Sequence, residues 1–113
     1  MTLSHYLELN GKRYLLSDNN HLLDLTLWDT QIRDYIAQSI DLKLSDDHVK
    51  VIDLIRNSYT RRKKHPYVRV VTADMAKEMG PEKGTMRYFY GLFPKGIHQA
   101  FQIAGIPVQG ICF

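Results

Sequence analysis

The chain has 113 residues, a formal net charge of +3, and 44% hydrophobic against 24% charged residues. That length suits one core rather than two domains, and that composition excludes a disordered chain. A single cysteine excludes an internal disulfide framework and a cysteine-based zinc site, and the small net charge does not by itself mark a nucleic-acid binder.

Residues 6–16 read as a β-hairpin turned at Asn10-Gly11, a pair that tolerates the positive φ angles of a type I′ turn. The register pairs Leu7 with Tyr14 and Glu8 with Arg13. It puts Leu7, Leu9, Tyr14 and Leu16 on one face and an ion pair on the other. A lone hairpin is marginal in water, so this one is expected to pack on helices. Trp28, Ile32, Tyr35 and Ile36 share a helical face, with Asp29 as the N-cap. Ser45 caps a second helix and places Asp46 and Asp47 in its first turn, where the helix dipole favours negative charge. Val49, Ile52, Ile55 and Tyr59 form its apolar face, and Arg61 to Lys64 crowd its last turn. A third helix, roughly 68–79, stops at Gly80-Pro81. A fourth starts near Thr85, carries Met86, Phe89, Tyr90 and Phe93 on one face, and ends at Pro94. A short fifth spans about 97–104, with Ile97, Phe101 and Ala104 on one face, closed by Gly105 and Pro107. The predicted fold is mainly α: one domain over 1–113, about five short helices behind an N-terminal hairpin. A flexible C-terminal arm is expected over about 105–113.

The chemistry concentrates at Cys112, the next-to-last residue. A cysteine so close to a chain end is either a reachable thiol or a small apolar residue packed with Ile111 and Phe113. A prenylation box is excluded, because it needs the cysteine fourth from the end. The Phe113 carboxylate disfavours a thiolate, so cations must compensate; Arg87, Lys83 and Lys95 on the preceding elements are the candidates. A thiol on an extended arm suits a carrier that enters a partner's site better than an enzyme with its own closed pocket.

Other signals are weak. His5, His21, His48, His65 and His98 show no metal-ligand spacing and read as surface residues; no metal or cofactor is expected. Arg61-Arg62-Lys63-Lys64-His65 reads either as a phosphate-binding run or as a solvated helix end. No Ser-His-Asp order, phosphate-binding loop or dinucleotide fingerprint is present. No apolar run approaches the ~20 residues of a membrane span, the N-terminus lacks the charged-then-apolar order of a signal peptide, and the lone thiol suits a reducing compartment; the expected location is the cytoplasm, with no membrane partner.

Glu82-Lys83-Gly84, Arg87-Tyr88-Phe89-Tyr90, Leu92-Phe93-Pro94-Lys95-Gly96, Ile103-Ala104-Gly105-Ile106-Pro107 and the penultimate Cys112 together resemble the TusE/DsrC family. The resemblance is strong over roughly 82–113 and collinear upstream. It implies a mainly helical fold with an N-terminal hairpin and a C-terminal arm whose penultimate cysteine, here Cys112, holds sulfur as a persulfide. The DsrC branch has a second cysteine eleven residues earlier, where this chain has Phe101. That departure favours the TusE branch: a sulfurtransferase taking sulfur from a TusBCD-type complex. It would pass the sulfur to a tRNA thiouridylase, with or without bound tRNA, for 2-thiolation of the wobble uridine. Ile97-His98-Gln99 replaces the family's Pro-Ala-Lys, and Val108-Gln109 replaces its Lys-Pro, so the arm is less basic than usual. The alternatives are DsrC-like sulfur trafficking in another pathway and a helix-turn-helix nucleic-acid-binding regulator.

Overall fold

The Asn10-Gly11 turn takes the geometry its chemistry favours, with φ at +50° and +83°, which matches the twist of the flanking strands. Strands β1 (Ser4–Leu9) and β2 (Lys12–Ser17) pair antiparallel, with Leu7 opposite Tyr14 and Glu8 opposite Arg13. The computed structural model describes residues 4–106. Tyr14 and Leu16 are buried, and Leu7 and Leu9 pack against the same core. The expected Glu8–Arg13 ion pair does not form. Arg13 instead lies over the Tyr6 ring at 4.5 Å, because on an exposed strand face an aromatic ring holds the guanidinium with less loss of hydration than a carboxylate does.

The hairpin is tied to the first helix through one carboxylate. Asp29 caps α1 (Thr30–Ser39) by accepting from the Ile32 N–H at 3.0 Å. Its other oxygen accepts from Lys12 Nζ at 2.7 Å and from the Tyr14 hydroxyl at 2.7 Å. Gln31 adds bonds to the Leu9 carbonyl and the Tyr14 hydroxyl. Trp28 lies outside α1, at the end of a short 3₁₀ turn over Leu25–Leu27, so it is freed from the helical face expected for it.

Helix α2 (Asp46–Arg62) is capped by Ser45. Its third residue completes the cap in place of the usual Glu or Gln: His48 Nδ1 accepts from the Ser45 N–H at 3.0 Å. The ring proton is then on Nε2, which donates to the Leu92 carbonyl at 2.7 Å. His48 is therefore buried rather than a surface residue, edge-on to Phe93. Two further histidines depart from the surface reading. His65 sits partly buried between Tyr59 and Phe101, and burial pushes His21 below the usual imidazole range.

Helix α3 (Val68–Met79) ends at Gly80 as its stop signal requires. In α4 (Met86–Leu92), Phe89 and Leu92 are buried, as is Phe93 just beyond it, but Met86 and Tyr90 remain about half exposed. Seven residues make only two turns, too short for the whole stripe to face inward. Helix α5 (Ile97–Ala104) packs on α1 and α2. Gln99, Ala100, Phe101, Ile103 and Ala104 are all buried, so this helix is enclosed more completely than the single face expected.

Asp29 yields a prediction. Burial opposes its ionisation, but the bonds from Lys12, Ile32 and Tyr14 outweigh that and hold its pKa below the usual carboxylate value. A lowered folded-state pKa gives stability that is present above the unfolded value of about 3.9 and is lost as pH falls through the folded value. Asp29→Ala should cost about 2 kcal/mol at pH 7, mostly as a lost cap. Urea denaturation should show the gap to wild type narrowing below about pH 4. A gap of equal size at pH 7 and at low pH would remove the charge from this account.

Candidate functional site

The C-terminal carbonyls of a helix lack partners within it. In α5 all of the last four find one. Gly105 takes the left-handed conformation at φ +72°. This lets its N–H donate to the Gln102 carbonyl at 3.2 Å, and the Ile106 N–H to that of Phe101 at 3.0 Å. Together they form a Schellman motif. The remaining two carbonyls are met from far along the chain. The Trp28 indole N–H donates to Ile103 O at 2.9 Å, and Arg56 Nη1 donates to Ala104 O. The Arg56 guanidinium also stacks on the Trp28 ring at 3.8 Å. Gly105 is required twice here, since a Cβ at this position would also lie 2.3 Å from Trp28 Cδ1.

Residues 107–113 follow immediately, so this clamp is the anchored root of the segment that carries Cys112. Of the arm expected over about 105–113, Gly105 and Ile106 are instead buried and bonded to α5, while residues 107–113, Cys112 among them, lie outside the described residues. The root has a small hollow of about 120 Å³ lined by Leu25, Arg56, Tyr59, Thr60, Gly105 and Ile106. Burial lowers the pKa of Arg56, and Asp53 opposes that shift; a guanidinium keeps its charge regardless. Arg56 was not among the expected cations. Its signal in the sequence is position: it stands at i+4 from Ile52, within the apolar face of α2, where an arginine needs a reason.

The three expected cations are placed elsewhere. Lys83 pairs with Asp47 Oδ2 at 3.0 Å, and the Tyr88 hydroxyl donates to the same oxygen. The Tyr88 bond and then Lys83 draw the Asp47 pKa down, and Asp47 in turn raises that of Lys83. This ties the start of α2 to α4. Arg87 is exposed on α4 and makes no ion pair among the described residues. Lys95 borders a hollow of about 280 Å³ with His21, Ile40, His98, Gln99 and Gln102. Neither a hydrogen bond nor an ion pair joins any of the three to Gly105 or Ile106. A hollow of about 550 Å³ between α1 and the start of α2 shares no residue with the root. Among the described residues no three His, Cys, Asp or Glu side chains converge as a metal site, and no helix is long and apolar enough to cross a membrane.

A family profile described as DsrC like protein matches residues 8–113, from the hairpin through Cys112. The chain belongs to the DsrC-like family. It is 35% identical over 107 residues to the sulfurtransferase TusE of Pectobacterium atrosepticum, covering 94% of this chain and 98% of that one. It is 34% identical over 103 residues to the sulfurtransferase TusE of Escherichia coli, covering 90% and 94%. In structure it is similar to Allochromatium vinosum DsrC, solved by NMR, with a TM-score of 0.85 at 32% identity, covering 98% of this chain and all of the other. The oxidized γ-subunit of the dissimilatory sulfite reductase (DsrC) from Archaeoglobus fulgidus matches with a TM-score of 0.82 at 29% identity, covering 96% of this chain. The chain is thus a sulfurtransferase of a sulfur-relay family, and its hairpin-plus-five-helix fold is the family's.

The clamp can be read through Trp28, the only tryptophan. Arg56→Met should lower stability by about 1–2 kcal/mol, combining a lost cation–π contact with a lost charged hydrogen bond in a half-buried setting. It should also shift the Trp28 emission maximum. Arg56→Lys should restore little, since an ammonium cannot stack and donate at once. Unchanged emission in Arg56→Met would show that the guanidinium is not held on the ring.

Proposed function

We propose that Cys112 is the sulfur-carrying residue of this DsrC-like sulfurtransferase, and that 1–113 acts as one unit presenting it. The observation that carries the reading is the sole cysteine standing six positions after Ile106, whose backbone closes the clamped end of α5. Six residues span at most about 20 Å, so the thiol remains within that reach of a fixed point on the fold. The named TusE relatives supply the chemistry by kinship.

The Cys112 thiolate attacks the outer sulfur of a donor protein's persulfide. A new sulfur–sulfur bond forms at Cys112, the donor's own sulfur–sulfur bond breaks, and the donor leaves as a thiolate. No net oxidation occurs. The acceptor's cysteine thiolate then attacks the outer sulfur of the Cys112 persulfide and releases Cys112 as a thiolate. Rate depends on thiolate fraction and access. The donor is a TusBCD-type complex and the acceptor a tRNA thiouridylase acting on wobble uridine, in the cytoplasm. Phe101 supports the one-cysteine branch: the position where the two-cysteine branch carries its other thiol is here a buried core residue of α5, set against His65. The regulator reading is set aside because the relatives are named for sulfur transfer.

Cys112→Ser should fold as wild type and gain no mass on incubation with a cysteine desulfurase, cysteine and the relay proteins; wild type should gain one sulfur by intact mass. A mutant that takes up sulfur would end the Cys112 assignment. Arg87 remains our first choice for a cation that favours the thiolate, with Lys83 and Lys95 behind it. Lys83 is already engaged by Asp47, which strengthens the case for Arg87. Arg87→Ala should slow sulfur uptake several-fold and raise the pH midpoint of Cys112 alkylation. Unchanged values of both would make Arg87 structural.

A further inference from the structure

The modest net charge conceals a segregated one. Six of the fifteen Lys and Arg residues fall within residues 54–73, a stretch with no Asp or Glu, and the remainder of the chain is net acidic. Five of the six, Arg61, Arg62, Lys63, Lys64 and Arg69, are exposed, and none makes an ion pair among the described residues.

The cluster is held in place by its surroundings. Helix α2 ends in a left-handed Lys63 (φ +57°) whose N–H donates to the Tyr59 carbonyl at 2.8 Å. Two residues later His65 is set between the rings of Tyr59 and Phe101, at 5.4 and 5.2 Å. Pro66 is buried beside it in sequence. The turn that carries the charges is therefore fastened to α5, and Phe101 is four residues before Gly105. Thr60, the neighbour of Arg61, lines the hollow at Gly105 and Ile106. The basic surface thus flanks the root of the segment bearing Cys112. Tyr67, at the start of α3, is 71% exposed in the same turn. Asp74 and Glu78 border Arg61 on the α2–α3 groove, so the positive face is bounded on that side.

We propose that Arg61, Arg62, Lys63 and Lys64, followed by Tyr67 and Arg69, form a docking surface for the phosphate backbone of a structured RNA. Consecutive cations that make no ion pair among the described residues suit a regular line of phosphates, and an exposed aromatic ring among them offers a stacking surface for a base. An acidic protein surface would use the cations but not the ring. The surface deepens the proposed function, on which it rests for the choice of RNA: it would hold the RNA beside the sulfur-bearing segment while an acceptor enzyme modifies it.

The test is a fluorescence-anisotropy titration of full-length, sulfur-free protein with a labelled RNA stem-loop. Wild type should bind, weakening about a hundredfold between 50 and 200 mM salt, as expected for four or so phosphate contacts. The combined variant Arg61→Gln, Arg62→Gln, Lys63→Asn, Lys64→Gln should bind at least tenfold more weakly at the lower salt, with a nearly flat salt dependence; asparagine tolerates the left-handed position. Should that variant unfold by circular dichroism, Arg62→Gln with Lys64→Gln should lose about half of the salt slope. Tyr67→Ala should weaken binding several-fold without changing the slope. Equal affinity and slope in wild type and the folded charge variant would overturn the proposal. So would displacement of the RNA by an equal charge concentration of polyglutamate, which would assign the cluster to an acidic protein. Cys112→Ser should bind RNA as wild type does. The titration therefore reads the surface whether or not Cys112 carries sulfur, and the mass assay reads Cys112 whether or not RNA binds.

Discussion

The end of α5 is the constraint on which the rest of this fold depends. A buried helix terminus leaves carbonyls that must be satisfied away from water, each at a cost of about 1–3 kcal/mol if it is not. Here two are closed by the backbone at Gly105 and Ile106, and two by Trp28 and Arg56, residues separated from them by 75 and 48 positions. Those two side chains come from different elements and touch each other. The indole, the guanidinium and the helix end therefore form one unit, and none can be placed without the others.

The remaining architecture follows from getting Trp28 and Arg56 there. Trp28 directly precedes Asp29, the carboxylate that caps α1 and receives Lys12 and Tyr14 from the hairpin. The hairpin, marginal alone, is thereby fixed to the same junction. Arg56 belongs to α2, whose start is locked by His48 to the end of α4 and by Asp47 to Lys83 and Tyr88. The polar side chains that hold the helices together are thus few. Each of these either caps a helix or bridges to another element, and the aliphatic and aromatic core fills the space between.

Sulfur exchange requires little from a carrier except a thiol that can be presented to two partners in turn. In this chain the last helix ends in a fully bonded junction, and the sequence continues beyond it to Cys112. The charge distribution fits the same logic. Cations that stabilise the fold, Lys12 and Lys83, are committed to carboxylates. Those on the turn after α2 make no ion pair among the described residues.

Much of this was legible in the residue order. Local rules located the hairpin and its register, the caps at Asp29 and Ser45, the helix start near Thr85, the stops at Gly80 and Gly105, and the family pattern ending in Cys112. They did so because turns and caps are decided within a few residues, by φ preferences and by which side chain can reach an orphan N–H. What the order could not settle were matters decided between distant elements. His48 reads as a surface histidine until the Leu92 carbonyl is brought against it. Arg56 reads as an oddity of α2 until the α5 terminus arrives with a carbonyl and an indole. Met86 and Tyr90 share a helical stripe with Phe89, yet stay exposed because periodicity says which residues share a face and not how much of that face finds a partner. Burial and the pairing of buried polar groups are properties of the packed whole, and only the tertiary structure could assign them.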